Sequence, residues 1–296
     1  MKILLFGKNG QVGWELHRSL QSLGDVTAFG SEEADFCQHE SLRNIIRHES
    51  PDIIVNAAAY TLVDKAESEE SIAMKINGIA VEVLSEEALK ADALLVHYST
   101  DYVFDGIKSE PYLESDIPGP VNAYGRTKLA GEQAIHSSGC EYIILRTSWV
   151  YSARGKNFLS SMLNLAMQRD ELRVVSDQVG APTSARLIAE TTLICLLQVI
   201  TERRQETFSS NLYHLTASGC TSWCGFANEI IKTAGKIQGM NLNVREAKAI
   251  STSEYPTPVQ RPMNSRLNIA LLEDTFGIKM PHWSNAISLC IDELKK

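Results

Sequence analysis

The chain has 296 residues, 44% of them hydrophobic and 22% charged, and carries a formal net charge of −8 with a pI near 5.5. That length and composition suit a soluble globular protein of one large or two modest domains, and the acidic balance argues against a nucleic-acid surface. Cys37, Cys140, Cys195, Cys220, Cys224 and Cys290 make no Cys-x-x-Cys pair and no zinc spacing, so reduced thiols in the cytoplasm are the simple expectation.

In chain order, residues 3–6 are a short apolar run, as a central parallel strand should be. The amino terminus holds too short an apolar stretch for a signal peptide. Gly7-Lys-Asn-Gly10-Gln-Val-Gly13 follows at once, then a helix over 14–23. Strands are expected at 26–29, 51–56, 93–97 and 142–145, with helices at 41–49 and 74–90 and a further helix bearing Tyr124 and Lys128. A third short strand is expected to end at Asp35-Phe36. This alternation predicts an α/β fold, a doubly wound Rossmann-type parallel sheet with ligands beyond the carboxyl ends of its strands.

Past about residue 150 the pattern loosens. Helices are expected at 158–169, 183–200 and 221–236, a strand at 212–215, and a rigid proline-rich loop at 255–262. Glu190, Thr191 and Gln198 interrupt the apolar run 187–200, which reads as a buried helix and not as a membrane span. The division expected is a dinucleotide-binding domain over 1–150 and a smaller mixed α/β substrate-binding domain over 151–296. The two interleave, with 183–216 returning to the first.

Three features carry chemistry. Gly7, Gly10 and Gly13 open a helix directly after a strand, where backbone amides can approach a pyrophosphate. Tyr124 and Lys128 stand four apart on one helix face, and Thr100 ends a strand that can bring its hydroxyl to them. A phenol normally holds its proton until pH ~10. An ammonium beside it is expected to lower that value, so that the phenol can trade a proton with a sugar oxygen. The second strand ends at Gly30, which supplies no carboxylate to hold an NAD ribose; Glu32 and Glu33 lie slightly beyond, so NADH and NADPH both stay open. Asp35 and Phe36 could meet adenine, or be a loop aspartate and a core phenylalanine. Asn56-Ala-Ala-Ala59 ends a strand with small side chains, leaving room for a cofactor or for close helix packing.

These segments resemble the extended short-chain dehydrogenase/reductases, and within them the dTDP-4-dehydrorhamnose reductase family. The likeness rests on Phe6-Gly-Lys-Asn-Gly-Gln-Val-Gly13, Tyr98-Ser-Thr-Asp-Tyr-Val-Phe104, Tyr124-Gly-Arg-Thr-Lys128, Arg146-Thr-Ser-Trp-Val-Tyr151 and Tyr255-Pro-Thr-Pro-Val-Gln-Arg-Pro262. It implies hydride transfer from NADPH or NADH to a dTDP-4-keto sugar, with Tyr124 as proton donor. Lys128 would hold the nicotinamide ribose and Thr100 the carbonyl. By the same likeness Gly10, Gln11, Val12, Asp35, Phe36, Ala59, Tyr60, Thr61 and Tyr98 would contact the cofactor, and Asp101 and Trp149 the sugar. Trp149 could also be plain core, and Asp101 a turn cap. Arg261 could pair with the diphosphate or be a solvated loop arginine. The resemblance allows a homodimer and a magnesium ion at its contact, although no carboxylate cluster makes a metal site visible.

Two rivals share the fold. A nucleotide-sugar dehydratase normally has an Asp-Glu pair after the threonine, where this chain has Asp101-Tyr102. A nucleotide-sugar epimerase would keep its cofactor trapped. A non-catalytic partner protein, of the kind that regulates methionine adenosyltransferase, would have no need of intact Thr100, Tyr124 and Lys128.

Overall fold

The computed structural model describes residues 1–238 and 240–294. Its centre is a six-stranded sheet. The strands are β1 (Lys2–Phe6), β2 (Asp25–Phe29), β3 (Ile53–Asn56), β4 (Leu94–Thr100), β5 (Tyr142–Thr147) and β6 (Asn211–His214). They lie in the order β6-β5-β4-β3-β1-β2, and every neighbouring pair is parallel. β3 and β4 are buried along their whole length, which is why they open on the apolar runs 53–55 and 94–96 and not on an alternating pattern.

The side-chain period of two sends alternate residues to two cores. Ile3, Leu5, Val55, Val96 and Leu145 pack on one face against Leu16 and Leu20, against Ile188 and Leu196, and against Leu272 and Phe276. Leu4, Phe6, Ile54, Leu95 and Ile144 pack on the other against Leu42, Ile46, Val81, Leu84 and Ile135. The covering helices are α1 (Gln11–Ser19), α2 (His39–Glu49), α3 (Ala80–Ala91), α4 (Ala123–Ser138) and, after an excursion, α6 (Ala185–Arg204). A separate core of Tyr151, Leu159, Leu163, Phe226, Ile230, Trp283, Ile287 and Ile291 joins α5 (Phe158–Gln168), α7 (Trp223–Ala234) and α8 (Ile287–Leu294).

Two expectations are corrected. No strand ends at Asp35-Phe36: residues 31–38 form turns. The Asp35 carboxylate accepts the Cys37 amide at 2.8 Å, a local bond that competes with extended pairing, while the Phe36 ring turns into the core against Phe6. The helix expected over 74–90 contains a π turn at Lys75–Ile79. It aims the buried Asn77 side chain at the Tyr60 backbone, where Oδ1 accepts the amide at 2.9 Å and Nδ2 donates to the carbonyl at 3.1 Å. The same Nδ2 donates to Thr127 Oγ1 at 3.1 Å, tying that turn to α4.

Candidate active site

A cleft of about 640 Å³ lies over the carboxyl ends of β1, β3, β4 and β5, where a doubly wound sheet places ligands. Gly10, Gln11, Val12, Ala59, Thr61, Tyr98, Thr100, Asp101, Tyr124, Lys128 and Trp149 line it. The glycine turn beneath is compact for a steric reason. Gly7 has φ +89°, and a Cβ on Gly13 would sit 2.0 Å from the Gly7 carbonyl oxygen. Gly7 and Gly13 therefore shape the turn from below, and Gly10 presents it to the cleft at the start of α1. The cradle fits a dinucleotide pyrophosphate.

Thr100 ends β4 and Tyr124 opens α4. The Tyr124 hydroxyl stands beside Thr100. The Thr100 hydroxyl donates to Asp101 Oδ1 at 3.0 Å and accepts the Tyr102 amide at 3.2 Å. Asp101 is buried, which pushes its carboxyl up to about 6. Lys128, one helical turn past Tyr124, is 2% exposed; burial lowers its ammonium to about 8. Its Nζ donates to the Tyr98 carbonyl at 2.7 Å and lies 3.1 Å from His97 Nε2.

The expected lowering of Tyr124 by that ammonium is corrected. Burial dominates and pushes the phenol up to about 12, with the Thr100 hydroxyl working against it. The lysine is turned to the strand backbone and the imidazole, and no bond joins it to the phenol.

Trp149 follows β5 with φ +48°, an uncommon backbone for a bulky residue. Its ring stacks on Trp223 of α7, with centroids 3.6 Å apart and planes 10° apart. Three predicted residues are not among those that line the cleft. Phe36 is core, Asp35 caps its turn, and the Tyr60 hydroxyl is bound to Glu69. Arg261 lies outside the lining and reaches Asp64 at 3.1 Å.

The family model described as RmlD substrate binding domain matches residues 1–296. The chain belongs to the dTDP-4-dehydrorhamnose reductase family. The reductase of that name from Burkholderia thailandensis is 49% identical over 295 residues, covering 99% of each chain. A crystal structure of a dTDP-4-dehydrorhamnose reductase from Clostridium acetobutylicum superposes with a TM-score of 0.90 at 36% identity, covering 100% of both chains. A Bacillus anthracis dTDP-4-dehydrorhamnose reductase in complex with NADP gives a TM-score of 0.88 at 32% identity over 99% of each chain.

Other parts of this reductase-family cleft are not visible as motifs. Arg154, Gly155, Lys156 and Asn157 line it beside Gln11 of the glycine turn. Gln11 Oε1 accepts from Ser152 Oγ at 2.9 Å and from Asn157 Nδ2 at 3.0 Å, and the Arg154 guanidinium lies 3.5 Å over the Trp14 ring. A basic, glycine-bearing loop after a strand was the available signal. At the β2 end, the Gly30 amide donates to Glu33 Oε2 at 2.6 Å and the Lys8 ammonium pairs with the same carboxylate. A carboxylate thus returns to the strand end that Gly30 left bare. Among the described residues no three His, Cys, Asp or Glu side chains converge on a metal position, and no step is assigned to a magnesium ion. Among the described residues no helix is long and apolar enough to cross a membrane.

Proposed function

We propose that this chain reduces dTDP-4-dehydro-L-rhamnose to dTDP-L-rhamnose, using NADPH or NADH. The observation that carries the reading is the meeting of Thr100, Tyr124 and Lys128 on the wall of the cleft that the glycine turn also lines. Bound NAD(P)H supplies the hydride. Tyr124 gives its proton to the former ketone oxygen. With the phenol up at about 12, it keeps that proton until an alkoxide, a stronger base, forms beside it. Thr100 holds the oxygen in place by turning its hydroxyl from Asp101 to the substrate, a fixed donor where negative charge develops. Lys128, held by the Tyr98 carbonyl, keeps a cation at the ribose beside the nicotinamide.

Gly7, Gly10, Gln11, Val12 and Gly13 are assigned the cofactor pyrophosphate, and Ala59, Thr61 and Tyr98 its path along the sheet edge. Asp35 and Phe36 are assigned the adenine, and Tyr60 a further contact to the cofactor. Asp101 and Trp149 are assigned the sugar, and Arg261 the diphosphate once it leaves Asp64. In this reading residues 1–150 bind the dinucleotide with the help of 183–216, and the remainder of 151–296 binds the sugar nucleotide. We place the enzyme in the cytoplasm, as a homodimer. The test is oxidation of NADPH and of NADH with the dTDP-keto sugar, with dTDP-L-rhamnose identified as product. Absence of turnover with both cofactors would sink the assignment.

A further inference from the structure

Behind Lys128 runs a chain of buried polar groups that the reaction above does not use. Asn56 ends β3 and His97 lies directly across from it on β4. They are 1% and 0% exposed. Asn56 Oδ1 accepts the Ala58 amide at 3.1 Å, and its Nδ2 stands 3.0 Å from His97 Nδ1. His97 Nε2 stands 3.1 Å from Lys128 Nζ.

The direction of this chain follows from its first member. A backbone N–H can only donate, so the Asn56 oxygen faces Ala58 and its NH2 faces His97. His97 Nδ1 must then accept. A neutral imidazole has one donor and one acceptor, so the proton sits on Nε2 and points at Lys128. Burial, and then the Lys128 charge, hold the imidazole neutral, well below its usual range. An N–H aimed at nitrogen is matched by the lone pair of an amine and opposed by an ammonium.

We propose that His97 is a positioning residue that, through this one-way chain from Ala58 and Asn56, biases Lys128 toward its free amine. The charged and titratable groups around the lysine are few. His97 faces it from β4, whose next phenol, Tyr98, turns instead to Thr192; Asp101 stands at that strand's end, and Tyr124 and Glu132 lie on its own helix. Glu132 favours the ammonium, but Arg146 of β5 holds that carboxylate in two hydrogen bonds. The low value of Lys128, about 8, agrees with the direction of the chain. The functional consequence rests on the proposed reductase reading, in which the ammonium form is the active one. Activity is then lost as pH rises through the lysine's value.

The first test needs no activity. Nitrogen-15 NMR of histidine-labelled, cofactor-free protein at neutral pH should show His97 protonated on Nε2 and bare on Nδ1, with the signal assigned by its loss in His97→Gln. The opposite tautomer, or protons on both nitrogens, overturns the proposal. The second test is the pH dependence of the NADPH Kd and of kcat/KM. His97→Gln can turn its amide oxygen to the ammonium. Asn56→Asp can accept from both Ala58 and His97 Nδ1, which leaves a lone pair on Nε2 facing Lys128. Both should move the alkaline limb up by about one pH unit, because a hydrogen bond to the charged form favours it. A purely structural role would lower turnover and leave the limb in place; an unmoved limb in folded variants overturns the proposal. If both variants misfold, the wild-type tautomer decides. If the tautomer is as stated and no keto sugar is reduced, the functional reading fails and the chain stands.

Discussion

Tyr124→Phe isolates one proton. The ring stays, including its edge-on contact with Tyr102 at 5.6 Å between centroids, and only the hydroxyl beside Thr100 is removed. One neutral hydrogen bond contributes about 0.5–1.5 kcal/mol, so the variant should fold and its Tm should fall by only a few degrees. Loss of a positioned general acid is typically a ~100- to 10,000-fold effect, or about 3–5.5 kcal/mol on the barrier. Cofactor affinity should hold, because the glycine turn and Lys128 are untouched. Steady-state oxidation of NADPH with the dTDP-keto sugar gives the first quantity, and a cofactor titration gives the second. A loss of kcat below about tenfold would refute Tyr124 as donor. A cofactor Kd that worsens as much as kcat would mean the phenol serves binding and not proton transfer.

Gly13→Ala places a Cβ 2.0 Å from the Gly7 carbonyl oxygen; backbone must move, and overpacking of this kind costs about 1–3 kcal/mol. Its cofactor Kd should rise at least about tenfold by titration, and an unchanged Kd would remove the pyrophosphate from this turn. Glu33→Gln removes the carboxylate at the Gly30 amide and should raise the NADPH-to-NADH ratio of kcat/KM about three- to tenfold, the scale of one screened charge; an unmoved ratio places the ribose elsewhere. Arg261→Ala should raise the KM for the dTDP-sugar about ten- to a hundredfold, one charged hydrogen bond, with the cofactor Kd unmoved. Asp64→Asn frees the same guanidinium from its 3.1 Å partner and should lower that KM. If both variants shift the same way, Arg261 does not serve the diphosphate.

The sheet was legible because buried parallel strands must be apolar, and β1 to β5 fall within three residues of their expected bounds at either end. α1 begins at Gln11 and not at 14, because the glycine turn itself supplies the helix start. The strand expected at Asp35 failed where short local hydrogen bonds outcompeted pairing, and the π turn at Lys75–Ile79 carries no pattern a period of 3.6 would reveal. In the site, Thr100, Tyr124 and Lys128 were readable because a strand end and one helical turn fix their spacing. Trp223, Arg154 and His97 were not. Trp223 meets Trp149 only when α7 docks, and His97 on an apolar strand looks like core until the helix opposite brings an ammonium to it. The lysine's turn away from the phenol is likewise a tertiary result.

β6, the edge of the sheet, is made from Asn211–His214 and pairs with β5, although α5 and the short strands after it intervene. The chain leaves the sheet again for α7, returns so that Leu272, Phe276 and Met280 join the first core, and leaves once more for α8. Neither half is therefore a cassette. A protein cut at residue 150 would lack an outer strand and the α6 cover, and a transplanted second half would carry part of another protein's floor with it. New sugar specificity would have to be sought by exchanging side chains and loops at the cleft, with the path of the backbone left alone.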